Sequence, residues 1–127
     1  MSCLILGDSL AVGLASVLKG CTVIAKVGVT SLWILAHAHS GSFNTVYISS
    51  GTNDVPNGTH IVTIVKHLEA TRAKNPQAIT YWVASQLQPA RAAEYNVASN
   101  HHDKVLTCKR GGWGNFHCKN YRELLQR

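Results

Sequence analysis

A chain of 127 residues, 46% hydrophobic and 14% charged, has the size and composition of one folded domain spanning 1–127, which excludes a disordered or coiled-coil sequence. No apolar run approaches the roughly 18 residues of a membrane span, and the N-terminus lacks the basic, apolar and small-residue blocks of an export signal. The formal charge of +6 is gathered late: Lys104, Lys109, Arg110, Lys119, Arg122 and Arg127, half of the twelve basic residues, fall in the last 24 positions against Glu123 alone.

In chain order, short apolar runs alternate with segments of helical period. The runs "CLIL", "CTVIAK", "TVYISS", "AITYWVAS" and "KVLTC" are bounded by Gly, Asn or Pro, as buried parallel strands are. Between them Ser9–Leu18, Thr30–His39, His60–Asn75 and Ala90–Ser99 have helical spacing, and Lys119–Gln126 closes the chain. The third segment is the clearest, with Ile61, Ile64, Val65 and Leu68 on one face and Thr59 as its N-cap. This alternation predicts a three-layer α/β/α sandwich on a five-stranded parallel sheet, flavodoxin-like, with strand order 2-1-3-4-5.

Such folds bind ligands beyond the carboxyl ends of their strands, and the chemistry-bearing residues collect there. Gly7-Asp8-Ser9 follows the first run, Val27-Gly28 the second, Gly51-Thr52-Asn53-Asp54 the third, and the Gly111–His117 loop the fifth. Taken singly, Ser9 is an N-cap residue type and Gly28 and Asn53 are turn residues. Taken together they supply what a serine nucleophile needs, a base to accept its proton and donors for the oxyanion. Ser9 would attack from the first turn of a helix, His117 would be the base, and the N–H groups of Ser9 and Gly28 with the Asn53 amide would form the oxyanion hole.

"GDSL" at Gly7–Leu10, Gly28 and "GTND" at Gly51–Asp54 resemble the first three blocks of the GDSL, or SGNH, hydrolase family. The resemblance implies that Ser9, Gly28, Asn53 and His117 are the residues of the family's second name, and it extends over nearly the whole chain. The last block departs from the family's Asp-x-x-His: this chain reads Gly114-Asn115-Phe116-His117. The expectation is a Ser9–His117 dyad, with a backbone carbonyl of the Gly112–Gly114 segment orienting the ring. Asp8 is expected to stabilise the nucleophile turn and Asp54 to tie the third loop to backbone N–H groups, while Asp103 falls at the wrong end of the sheet to replace the absent acid.

No cofactor or metal is called for. Cys3, Cys21, Cys108 and Cys118 have no CxxC spacing, and a zinc site from Cys108, His117 and Cys118 is disfavoured. Cys3 and Cys21 read as buried small hydrophobes; Cys108 and Cys118 bracket a loop that a disulfide would close, but free thiols are expected in a chain without an export signal. Asn57-Gly58-Thr59 reads as a turn.

The family resemblance implies a carboxyl-ester hydrolase. Short loops predict an open, shallow cleft suited to short acyl groups, such as acetyl on a carbohydrate, and the basic C-terminal segment suits an anionic polymer such as a cell-envelope polymer. A monomer is expected in the cytoplasm, or released by lysis or carried on a virion if the source is a phage. The competing readings are a weak or inactive binding module of the same fold for an anionic polymer, and a basic nucleic-acid-binding protein. The latter is disfavoured because no basic run or recognised motif accompanies the charge.

Overall fold

The computed structural model describes residues 2–112, 114 and 116–126. Five parallel strands alternate with helices: β1 (Cys3–Gly7), α1 (Ser9–Val17), β2 (Thr22–Ala25), α2 (Ser31–His37), β3 (Thr45–Ser49), α3 (Ile61–Ala73), β4 (Ile79–Val83), α4 (Ala90–His101) and β5 (Lys104–Leu106). Short 3₁₀ turns lie at Thr52–Asp54 and Tyr121–Leu125. The sheet order is β2-β1-β3-β4-β5, the predicted one.

Alternation of side chains along each strand builds the two outer layers. Leu4, Leu6, Val46, Ile48 and Trp82 point to one face and meet Ile34 of α2, Ile64 and Leu68 of α3, and Val97 of α4. Ile5, Tyr47 and Val83 point to the other, where Leu10 and Leu14 of α1 and Leu124 near the C-terminus cover them. Trp82 is fully buried and its indole N–H donates to Asp103 at 3.0 Å. Arg72 of α3 grips the same carboxylate through two hydrogen bonds of 2.7 and 2.8 Å. This ion pair staples α3 to the amino end of β5, so Asp103 is at the end of the sheet remote from Ser9.

Several expectations are corrected. His60 caps α3, its Nδ1 accepting from Val62 N–H at 3.1 Å; the imidazole takes the role expected of the Thr59 hydroxyl. The closing helix is the 3₁₀ turn Tyr121–Leu125, capped by Asn120. The cysteines are all paired: Cys3–Cys21 with Cα atoms 4.8 Å apart and Cys108–Cys118 at 5.5 Å. The register explains the first pair. Leu4 of β1 lies beside Thr22 of β2, which brings the preceding residues, Cys3 and Cys21, side by side. An antiparallel bridge between Arg110 and Cys118 folds the second pair's loop back on itself.

Candidate active site

All four residue types singled out above lie at the carboxyl end of the sheet, around one cleft of about 380 Å³ lined by Ser9, Gly28, Asn53 and His117 together with Leu10, Val55, Pro56, Leu87 and Phe116. A larger hollow of about 620 Å³ lies at the opposite end, between Gly41–Asn44 and Asn75–Ile79, and has no titratable lining residue.

The turn that carries Ser9 is set by two residues before it. A side chain at Gly7 (φ +147°) would place its Cβ 2.1 Å from the carbonyl oxygen of Ser49, so only glycine lets β1 run this close to β3. Asp8 then caps α1. Its Oδ1 accepts the N–H of Leu10 at 3.1 Å and the hydroxyl of Ser49 at 2.8 Å. Ser9 is therefore the first residue of α1, where the backbone N–H groups lack helical partners and the dipole is positive.

Asp8 is fully buried, and burial raises its pKa to about 6 against the opposing pull of those hydrogen bonds and of attraction to His117. When charged, this carboxylate and a His117 imidazolium favour one another.

His117 Nε2 and Ser9 Oγ are 2.7 Å apart across 108 residues of sequence. The ring is delivered by a loop held at its root: the N–H groups of Gly111 and Gly112 both donate to the His117 carbonyl, at 3.2 and 3.3 Å, and Lys119 N–H donates to Lys109 at 2.7 Å. Cys118, the next residue, is buried and disulfide-bonded. Gly114 is exposed, has a positive φ of 67° and offers no carboxylate. Of the Gly112–Gly114 carbonyls expected to orient the ring, that of Trp113 lies outside the described residues.

The Gly28 turn and the third loop approach from the other side. Gly28 sits at φ +84° on the exposed turn after β2, a conformation that favours glycine. The Asn53 amide donates to Val29 O at 2.9 Å, tying it to the residue after Gly28; an amide nitrogen carries two protons, so one bond does not exhaust it. Asp54 is buried and links its loop to α2: Ser31 N–H donates to Oδ1 at 2.7 Å, where the sequence suggested bonds that tie the third loop together.

Sequence reasoning missed Glu94. Fully buried in α4, it accepts Ser85 N–H at 2.6 Å and Ser50 N–H at 3.5 Å, joining the ends of β3 and β4 behind the third loop. Burial holds its pKa well above the carboxylate range, with the Ser85 bond opposing and Asp8 reinforcing the rise. The one available signal was a lone acid directly after the alanine-rich Ala90–Ala93 start of the helix. Ser31 and His67 were missed as well.

Among the described residues no helix is long and apolar enough to cross a membrane. By sequence, the chain matches no family model and no curated protein. By structure it is similar to a lipolytic protein of the G-D-S-L family from Veillonella parvula, with a TM-score of 0.64 at 14% identity over 98% of this chain and 92% of that one. A psychrotrophic esterase from Pseudoalteromonas sp., solved with monoethylphosphonate as inhibitor, gives 0.61 at 15% identity over 98% and 91%. An acetyl xylan esterase from the rumen bacterium Butyrivibrio proteoclasticus gives 0.59 at 14% identity, over 98% of this chain and 60% of that one. The chain has the α/β fold of the G-D-S-L lipolytic structures.

Proposed function

We propose that this protein is a serine hydrolase of carboxylic esters, acting through a Ser9–His117 dyad and an oxyanion hole formed by the N–H groups of Ser9 and Gly28 and the amide of Asn53. The observation that carries this reading is the 2.7 Å approach of His117 Nε2 to Ser9 Oγ, inside a cleft that Gly28 and Asn53 also line. The likeness to esterase structures adds to it at the level of the fold.

In the proposed cycle the Ser9 hydroxyl gives its proton to His117 Nε2 as Oγ bonds to the ester carbonyl carbon. The former carbonyl oxygen becomes an oxyanion held by the three donors. His117 passes the proton to the departing alcohol, leaving an acyl-serine; water attacks it by the same route, and Ser9 regains its proton. With Gly114 where an acid stands in the resembled family, Asp8 is the carboxylate whose charge supports the imidazolium, from the side of the nucleophile turn.

The lining side chains Leu10, Val55, Pro56, Leu87 and Phe116 suit a short apolar acyl group. Beside His117, the exposed Lys109, Arg110 and Lys119 would face the alcohol part of the ester, which favours an acylated anionic carbohydrate or envelope polymer. A chain released by lysis or carried on a virion would meet oxidising surroundings, in which both disulfides persist.

Hydrolysis of p-nitrophenyl acetate tests the reading. Wild type should turn over, and Ser9→Ala and His117→Ala should each lower kcat by ~10³-fold or more. Gly114 favours a second reading, a binding module that has lost turnover with its acid. Wild type no faster than Ser9→Ala, with retained binding to an anionic polysaccharide, would establish that alternative.

A further inference from the structure

Behind the cleft, on the side away from Ser9, is a second chain of hydrogen bonds that the proposed chemistry does not use. Ser31, fully buried at the start of α2, donates its N–H to Asp54 Oδ1 at 2.7 Å and its hydroxyl to Asp54 Oδ2 at 2.5 Å. His67 of α3 lies with Nδ1 2.8 Å from the same hydroxyl oxygen. A serine has one hydroxyl proton, and a carboxylate has none to give. With that proton committed to Asp54, the contact between His67 and Ser31 is a hydrogen bond only if His67 Nδ1 carries a proton and donates it. The Nδ1–H tautomer of the neutral ring meets this condition, and the Nε2–H tautomer does not.

Two members of this chain are close in sequence to two of the three oxyanion donors that the reading above assigns. Asp54 follows Asn53 directly, and Ser31 is three residues past Gly28. Between them Asn53 donates to Val29 O, a second tie across the same gap. Three elements that share no strand pairing, the Gly28 turn leading into α2, the Thr52–Asp54 turn and α3, are thus fixed to one another by polar contacts in a mostly buried place, where such bonds are strong and costly to leave unmade.

We propose that His67, Ser31 and Asp54 form a brace that holds the Gly28 turn at a fixed distance from the Asn53 amide, which makes His67 and Ser31 positioning residues for the oxyanion site. This inference takes its kinetic consequence from the esterase reading; the hydrogen-bond pattern itself does not depend on it. Preorganised donors gain their effect from being in place before charge develops, so loosening the brace lowers kcat more than it raises KM.

Two measurements test it on the full chain. Nitrogen-15 NMR of the His67 ring should find a proton on Nδ1; an Nδ1 without one overturns the brace, whether or not the protein is active. Kinetics with p-nitrophenyl acetate, expressed per site titrated with a p-nitrophenyl phosphonate so that unfolded protein does not count, should show His67→Leu losing about tenfold in kcat with KM within twofold. That is less than the ~10²–10³ of deleting a donor outright. His67→Asn, whose amide puts an N–H where Nδ1 was, should restore most of the loss. In an Asn53→Ala background His67→Leu should cost clearly less than its tenfold loss in wild type, because the alignment of the Gly28 turn with that amide is already gone. Unchanged kcat in His67→Leu, or losses that multiply with Asn53→Ala, would overturn the proposal. Wild type with no Ser9-dependent turnover would instead defeat the esterase reading, and the Nδ1 result would still decide the hydrogen-bond pattern.

Discussion

Asp8 Oδ1 takes two hydrogen bonds, while Oδ2, equally buried, has no hydrogen-bond partner among the described residues. Burial outweighs the hydrogen bonds that favour the charged form, and the pKa rises from 3.8 to about 6. The folded state therefore holds the Asp8 proton more tightly than the unfolded state does. The resulting stability is fully present below pH 3.8, drains away as pH rises through about 6, and amounts to up to about 3 kcal/mol. Urea unfolding across pH 4 to 8 checks this: Asp8→Asn should flatten that part of the curve, and an identical slope in the variant would refute it. Asp8 was legible in sequence as a turn-stabilising residue beside Ser9. Its raised pKa was not, because it depends on Ser49 and on the depth of burial, neither of which the local sequence states.

The loop from Cys108 to Cys118 is the element on which the proposed base depends. His117 immediately precedes the buried, cross-linked Cys118, so the disulfide fixes the backbone at the root of the imidazole. Closing such a loop restricts the unfolded chain by about 3 kcal/mol, and Cys3–Cys21 contributes a similar amount. The two bonds differ in what else they hold. Cys3–Cys21 joins β1 and the approach to β2 at their amino ends, across the sheet from the cleft. Replacing Cys108 and Cys118 by serine should lower both Tm and the kcat for p-nitrophenyl acetate, the latter by tenfold or more, whereas replacing Cys3 and Cys21 should lower Tm alone. Equal kcat in the two double variants would show that the loop holds His117 without its bridge. The free-thiol expectation for Cys108 and Cys118 rested on the lack of an export signal and is overturned by their bond; Cys3 and Cys21 read as buried hydrophobes because local sequence carries no record of register. Only pairing Leu4 with Thr22 reveals that Cys3 and Cys21 are neighbours.

At the scale of the molecule, strand order and layering were legible because they follow from period and connection: Leu4/Leu6 against Ile5 and Val46/Ile48 against Tyr47 write the two faces of the sheet into the sequence. Ser9, Gly28, Asn53 and His117 were placed correctly at one end of the sheet by the same rule. Ser31, Glu94 and His67 were illegible, since each acts by meeting a partner from another element at a distance that no periodicity encodes. The small sheet also sets the scale of the cleft, at about 380 Å³ near the low end of ligand sites. For p-nitrophenyl esters kcat/KM should rise by up to about fourfold per added methylene while the chain is covered, near 0.8 kcal/mol each, and then level off. A rise continuing through dodecanoate would show that the acyl chain has cover the cleft does not supply. The contact between Ser9 and His117 spans 108 residues, from the first helix to beyond the last strand. Such sequence-distant contacts are slow to form and form late. During synthesis Ser9 leaves the ribosome long before His117, so on the esterase reading proposed above an incomplete chain lacks its base, and onset of hydrolysis would time the final docking event of folding.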